Sequence, residues 1–253
     1  MPDVYVCEII DLEELTHPVY SVSLLCPAIA NMAHAGQFVN IKCGNERLLR
    51  RPVSICSVEN DNIKLVFEVK GKGTKWLSES APGQFLDVLG PLGSGFSIPD
   101  GNIIVAGGGM GVPLLLFAAE SAKGDVTAVL GYRGADRIIL KKEFESCCKN
   151  VYITTDDGSF GIKGTVISPL EELLRAGKTG AVLACGPRLM LSAVAAVCRQ
   201  YDTFCQVSLE ERMGCGIGAC LVCACETSVD GIQGKSRVCR DGPVFDATEV
   251  VWN

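Results

Sequence analysis

Cys215, Cys220, Cys223 and Cys239 stand in the spacing C-x4-C-x2-C-x15-C near the C-terminal end of the chain. Thiolates are soft anionic donors, and the first three positions have the separation of plant-type [2Fe–2S] loops. Gly214, Gly216 and Gly218 lie within this loop. Glycine there lets the backbone pass close to inorganic sulfide and aim N–H groups at it, which favours the reduced, more negative cluster. Two alternatives stay open: a structural zinc site, which more often takes paired C-x2–4-C knuckles, and thiols that hold no metal. Cys225 lies two residues beyond Cys223 and can stand in as a ligand of a rearranged site; the spacing selects Cys223.

Two glycine loops are the next groups that can do chemistry. Gly107-Gly108-Gly109-Met110-Gly111-Val112-Pro113 follows an apolar run and opens a helical one. Backbone N–H groups and the helix dipole can hold a pyrophosphate there. The strict G-x-G-x-x-G fingerprint is not met, so a tight strand-to-helix turn remains an alternative. Cys185-Gly186-Pro187-Arg188-Leu189-Met190 repeats the situation at a second strand end. Gly108, Gly109 and Gly111 with Cys185, Gly186 and Pro187 can then enclose one dinucleotide. Cys185 either approaches the nicotinamide or is a strand-end cysteine without chemistry. Nearer the N-terminus, Arg51-Pro52-Val53-Ser54 and Gly71-Lys72-Gly73-Thr74 suit a flavin pyrophosphate and ring edge, although exposed arginines are usually solvated. No general acid–base pair stands out; His17 and His34 fall in loops.

These groups need scaffolds. Apolar runs at 4–10, 19–25, 38–41, 53–58, 63–69 and 85–89, separated by turn residues, predict a small antiparallel barrel or sandwich over residues 1–98. Ala35-Gly36-Gln37-Phe38-Val39 and Pro82-Gly83-Gln84-Phe85-Leu86 are related lead-ins to two of these runs. A helix-like stretch covers 75–80. From Pro99 strands and helices alternate: strands at 103–106, 126–130, 151–154, 181–185 and 204–209, helices at 113–122, 141–148 and 187–200. Ser168-Pro169-Leu170-Glu171 reads as a capping box with Ser168 at the cap. Such alternation predicts a doubly wound parallel sheet over 99–209, with both glycine loops on its carboxyl edge. The remainder, 210–253, is too poor in apolar residues to form a core alone and needs a metal staple.

Bulk properties exclude several classes. The chain has 253 residues, 48% hydrophobic and 21% charged, with a net charge of −6 and a pI near 5.1. That balance argues against nucleic acid or an anionic membrane as partner, and Arg47, Arg50 and Arg51 are too few for a nucleic-acid footprint. The uncharged stretch 101–119 is interrupted by glycines and Pro113, so it predicts a strand, loop and helix rather than a membrane span. Met1-Pro2-Asp3 lacks a secretory pattern. With 14 cysteines and no such signal, the expectation is a cytoplasmic protein with reduced thiols. Cysteines 7, 26, 43, 56, 147, 148, 198 and 205 then read as buried small hydrophobes.

The motifs R-P-V-S, G-K-G-T, L-D-V-L-G-P-L-G (86–93), G-G-G-M-G-V-P, C-G-P-x-x-M and the cysteine tail occur in this order. Asp157-Gly158-Ser159-Phe160-Gly161, Ser208-Leu209-Glu210-Glu211-Arg212-Met213 and the run from Val238 to Phe245 accompany them. Over essentially the whole chain this set resembles the ferredoxin–NADP reductase superfamily and, within it, the electron-transfer subunits of dihydroorotate dehydrogenase B. The resemblance implies a six-stranded antiparallel FAD-binding barrel, a doubly wound parallel NAD-binding domain and a C-terminal [2Fe–2S] loop. It implies FAD contacts at Arg51, Pro52, Val53, Ser54, Val66, Phe67, Glu68, Gly73 and Thr74. Relatives often have a basic residue at position 68 and G-V-P-P where this chain has G-V-P-L. It further implies an FMN-containing catalytic partner that oxidises dihydroorotate in pyrimidine biosynthesis, in a heterotetramer of two of each subunit. Electrons would pass from that FMN through [2Fe–2S] and FAD to NAD as substrate. Rivals with the same layout are the flavin subunit of a sulfhydrogenase and the small subunit of a ferredoxin–NADP oxidoreductase, whose relatives use an aspartate ligand. A redox-sensing iron–sulfur module is the rival of another class.

Overall fold

The computed structural model describes residues 3–44, 48–177 and 180–252; Met1, Pro2 and Arg47 of the sequence reading lie outside these. Strands β1 (Asp3–Thr16), β2 (Val19–Leu25), β3 (Phe38–Ile41), β4 (Arg51–Glu59), β5 (Asn62–Glu68) and β6 (Phe85–Leu92) close an antiparallel barrel in the order β1-β2-β5-β4-β3-β6. Closure, rather than a sandwich, removes the edges that short strands would expose. Side chains alternate across the wall, so Ile9, Leu24, Val39, Ile41, Ile55, Leu65 and Val88 fill the interior. Helices α1 (Pro27–Met32) and α2 (Lys72–Ser78) cover connections. α2 begins ahead of the stretch 75–80 because Thr74 Oγ1 accepts the N–H groups of Lys70 (3.0 Å) and Gly71 (3.3 Å) and starts the turn there.

The two related lead-ins fold alike. Gln37 and Gln84 donate their N–H groups to the carbonyls of His34 and Ala81. Each side-chain oxygen accepts the N–H of the same residue, at 2.8 and 3.1 Å. Gly36 (φ 98°) and Gly83 (φ 85°) take the position that a type II turn reserves for positive φ. The turns deliver β3 and β6, which pair with one another.

Beyond the barrel come β7 (Ile103–Gly108), α3 (Val112–Ser121), β8 (Val126–Tyr132), α4 (Lys141–Cys147), β9 (Asn150–Thr155), β10 (Ile162–Lys163), α5 (Ile167–Arg175), β11 (Ala181–Cys185), α6 (Arg188–Gln200) and β12 (Phe204–Ser208). The sheet order is β10-β9-β8-β7-β11-β12, all parallel. Strand order reverses between β7 and β11, the crevice where doubly wound sheets take ligands. Ile103 and Val105 pack on the α3 side and Ile104 and Ala106 on the α5–α6 side, so both faces are covered. α3 is buried almost all round because it is wedged between the sheet and the barrel strand β4.

Two sequence expectations need correction here. Ser168 does not cap α5: it lies inside the helix, which starts at Ile167 after Val166 without a side-chain cap, and Thr165 Oγ1 lies 3.5 Å from the Ile167 N–H. Burial of Val166 and Leu170 sets the helix start two residues earlier than the S-P-L-E pattern implied. Nor is the C-terminal region only a stapled loop. After the hairpin β13 (Ala224–Val229) and β14 (Ile232–Arg237), strand β15 (Val244–Asp246) pairs antiparallel with β12 at the sheet edge. Val238, Phe245, Ala247 and Val250 join the sheet's core, so the region borrows a hydrophobic anchor. Asp230 (φ 51°) and Gly231 (φ 78°) make the two-residue hairpin turn. No helix among the described residues is long and apolar enough to cross a membrane.

Candidate functional site: a cysteine loop beside a nucleotide cleft

The chain between β12 and β13 wraps the first three cysteines, and the turn after β14 returns Cys239 to them. Their sulfurs fall into two pairs. The Cys215 N–H lies 3.4 Å from Cys220 Sγ and the Cys220 N–H 3.4 Å from Cys215 Sγ, while the Cys239 N–H lies 3.4 Å from Cys223 Sγ. Gly218 ties the pairs together by donating to Cys239 Sγ at 3.1 Å. Among the described residues no three His, Cys, Asp or Glu side chains gather as holders of one ion. Two irons take two thiolates each, and sulfurs that fall into two pairs can supply them.

Burial opposes ionisation of Cys215, but N–H groups of Ile217 and Cys220, the Cys220 thiol and the Ala219 N–H outweigh it and hold the Cys215 thiol down at about 6. A thiol lowered in this way is readied for metal ligation, which needs the thiolate. Burial, then the neighbouring Cys223 thiol, push Cys239 up to about 12; metal binding would displace that proton. Arg237 grips Asp241 through Nε (2.8 Å) and Nη2 (2.9 Å) and reaches the Gly218 carbonyl at 3.3 Å, bracing the turn that carries Cys239. Cys225 is buried in the sheet-side core, and burial raises its thiol.

The two barrel motifs meet in space. A Cβ on Gly73 would strike the Arg51 guanidinium, so the side chain of R-P-V-S lies directly over G-K-G-T. Val53 is buried and Ser54 half-buried, paired with Phe38 across β3. Phe67 points into the barrel and stacks on Tyr20 at 6.0 Å, so it can offer a ligand only its backbone; Val66 packs toward α3. Arg50 braces the wall instead, paired with Asp87 at 2.7 Å. A cavity of about 770 Å³ is lined by Pro52 and Leu49 from this wall and by Met213, Gly214, Cys215 and Cys220 from the loop. The flavin motif and two of the thiols thus face one space.

A second cleft, of about 390 Å³, opens at the sheet's switch point and is lined by Gly108, Gly109, Gly111, Gly186 and Pro187. The glycines let the two loops touch: a Cβ on Gly111 would strike the Cys185 carbonyl, and one on Gly108 would meet Met190 and Pro187. Cys185 itself is 2% exposed and outside the cleft lining; burial first, then the charge of Glu210, raise its thiol, so it stays protonated. Glu68 lines the cleft from the barrel, but both of its oxygens are taken, by Arg137 Nη2 at 2.8 Å and Lys70 Nζ at 3.2 Å. Burial works against this carboxylate, yet Lys70 and then Arg137 hold it below the usual glutamate range. Arg137 also donates to the His17 carbonyl at 3.0 Å, and Thr16 Oγ1 to the Asp136 carbonyl at 2.8 Å, fastening the β1–β2 turn to the sheet domain. Thr154 adds to the cleft wall a fully buried hydroxyl with no hydrogen-bond partner among the described residues. Lys70, Arg137 and Thr154 carry no motif that a reading of the sequence could have picked out.

Residues 210–251 match the family described as the iron-sulfur cluster binding domain of dihydroorotate dehydrogenase B. The chain is 39% identical, over 100% of both chains, to the dihydroorotate dehydrogenase B (NAD(+)) electron transfer subunit of Desulforamulus reducens. It is 41% identical, over 87% of each, to the subunit of that name from Caldanaerobacter subterraneus subsp. tengcongensis. Among solved structures it resembles a chain of an NADH-dependent reduced ferredoxin-NADP oxidoreductase, with a TM-score of 0.87 and 30% identity over 100% of this chain and 92% of that one. It also shares its fold with the ferredoxin reductase of carbazole 1,9a-dioxygenase, at a TM-score of 0.62 and 21% identity over 79% and 65% of the two chains.

Proposed function

This chain belongs to the family of dihydroorotate dehydrogenase B electron transfer subunits, and from that premise we propose how its residues hold and order the redox centres. It is an NAD-linked oxidoreductase subunit of pyrimidine biosynthesis, with FAD and a [2Fe–2S] cluster as cofactors and a catalytic subunit as partner. Bound FAD exchanges a hydride with nicotinamide and single electrons with an iron–sulfur centre, so it belongs between the two.

In our reading Cys215, Cys220, Cys223 and Cys239 hold the cluster. Arg51, Pro52, Val53, Ser54, Gly73 and Thr74 hold FAD, together with the backbone at Val66 and Phe67. Gly108, Gly109, Gly111, Gly186 and Pro187 receive the nicotinamide nucleotide. Glu68 serves by orienting Lys70 and Arg137 toward the nucleotide cleft, not by touching the flavin directly. The chain divides into a flavin barrel (1–98), a nucleotide domain (99–209) and a cluster region (210–253). The observation that supports this reading is that Pro52, Cys215 and Cys220 line one cavity, so a flavin and a cluster held by these residues would lie within reach of each other.

The catalytic partner, with its FMN, docks on the cluster face. Cys220 is exposed there, in a loop that also exposes the apolar side chains of Ile217, Leu221 and Val222, a patch of the kind that marks an interface. Two copies of each subunit complete the assembly, in a reducing cytoplasm that suits 14 unbridged cysteines. An intact nucleotide cleft disfavours the redox-sensor alternative. The test is an assay of the isolated chain reconstituted with FAD. It should reduce an artificial dye with NADH and leave dihydroorotate untouched until the catalytic subunit is added; absence of NADH–dye activity would overturn the reading.

A further inference from the structure

The barrel wall behind the cysteine loop carries a polar group that the scheme above does not use. β3 alternates: Val39 and Ile41 point into the barrel, while Phe38 packs outward in the cluster that includes Leu92, Cys223 and Cys239. Asn40 shares the outward side and is only 1% exposed, yet its Oδ1 has no hydrogen-bond partner among the described residues. Gly216, the residue after the first cluster ligand, lies directly over it, so that a Cβ there would strike Asn40 Nδ2. Across the sheet Asn40 pairs with Pro52 of the flavin motif. The amide therefore stands in the wall between the flavin motif and the thiolate loop.

Burying an amide with one end unpaired costs free energy that a leucine of similar size would not. Its Nδ2 already faces the loop at Gly216, so its N–H groups are the end available as donors there. A thiolate-bound cluster offers only sulfur acceptors, and donors to those sulfurs stabilise the reduced, more negative state. We propose that Asn40 is a hydrogen-bond donor to the iron–sulfur centre, presented from the flavin barrel, and that it raises the reduction potential of the cluster. This rests on the four-cysteine cluster reading.

The test is a redox titration, followed by electron paramagnetic resonance, of the full chain purified without air and loaded with FAD. Asn40→Leu and Asn40→Asp should keep their iron and sulfide but lower the cluster midpoint by about tenfold in the reduction equilibrium, about 59 mV for one electron. Asn40→Ser should recover part of the loss, and the flavin midpoint should stay in place. Because Oδ1 has no partner in the fold, Asn40→Leu should not lower the Tm of the metal-free chain. A cluster midpoint unmoved in Asn40→Leu, or a shift of the flavin in its stead, overturns the proposal. If the Leu and Asp variants lose the centre, its return in Asn40→Ser supports the hydrogen bond and its continued loss contradicts it. A wild-type chain without a [2Fe–2S] signal would instead remove the cluster reading itself.

Discussion

At the scale of single residues, the proposed choice of Cys223 over Cys225 rests on a backbone contact to its sulfur. Cys223 Sγ accepts from the Cys239 N–H; both thiols are buried in one apolar cluster, and burial raises that of Cys225. Cys223→Ala should strip most of the iron and acid-labile sulfide from the chain, and Cys225→Ser should leave both unchanged; metal analysis of the two variants checks this. The C-x4-C-x2-C-x15-C set that the proposal rests on was legible in the sequence because ligation imposes spacing, and the fold draws its four cysteines together. Asn40 and Thr154 were not, since a lone amide or hydroxyl in an apolar strand has no pattern, and only burial without a partner singles it out. Glu68 shows a third case: the resemblance implied a flavin contact there, while in the structure the carboxylate's partners are Lys70 and, in the other domain, Arg137.

At the scale of elements, apolar runs between turn residues located the barrel strands and the strand–helix alternation located the sheet. What stayed hidden was long-range or short. β15 is three residues long within a turn-rich tail and exists because β12 offers it an edge. The cap predicted at Ser168 failed because burial of Val166 and Leu170 sets the helix start. The link between barrel and sheet domain through Glu68 and Arg137 makes a prediction of its own. The Glu68 carboxyl is held below its usual range, so its contribution is present above the ordinary glutamate pKa and is lost as pH falls through the depressed folded value. A partly exposed pair of this kind is worth about 0.2–1 kcal/mol. Glu68→Gln should therefore lower Tm by about 1–4 °C at pH 7, and the two melting curves should converge in acid. A constant offset at all pH values would contradict the assignment.

At the scale of the whole molecule, three regions converge on two neighbouring spaces. The barrel brings its flavin motif to one wall of a cavity whose other wall is the thiolate loop, and the sheet's switch point opens a cleft against the barrel's Glu68 and Lys70. β15 and the bonds from Ser94 N–H to the Gly242 carbonyl and Leu209 N–H to the Pro243 carbonyl fasten the cluster region to both domains. The proposed order nicotinamide, flavin, cluster, partner rests on this placement. The most direct test mixes NADH with the isolated chain, free of air, and records the flavin absorbance and the cluster's paramagnetic signal together. The account predicts one FAD and two irons per chain, with NADH reducing flavin and cluster in the FAD-loaded chain and neither once FAD is stripped. A chain without iron, or a cluster that dithionite reduces but NADH never does, would contradict it.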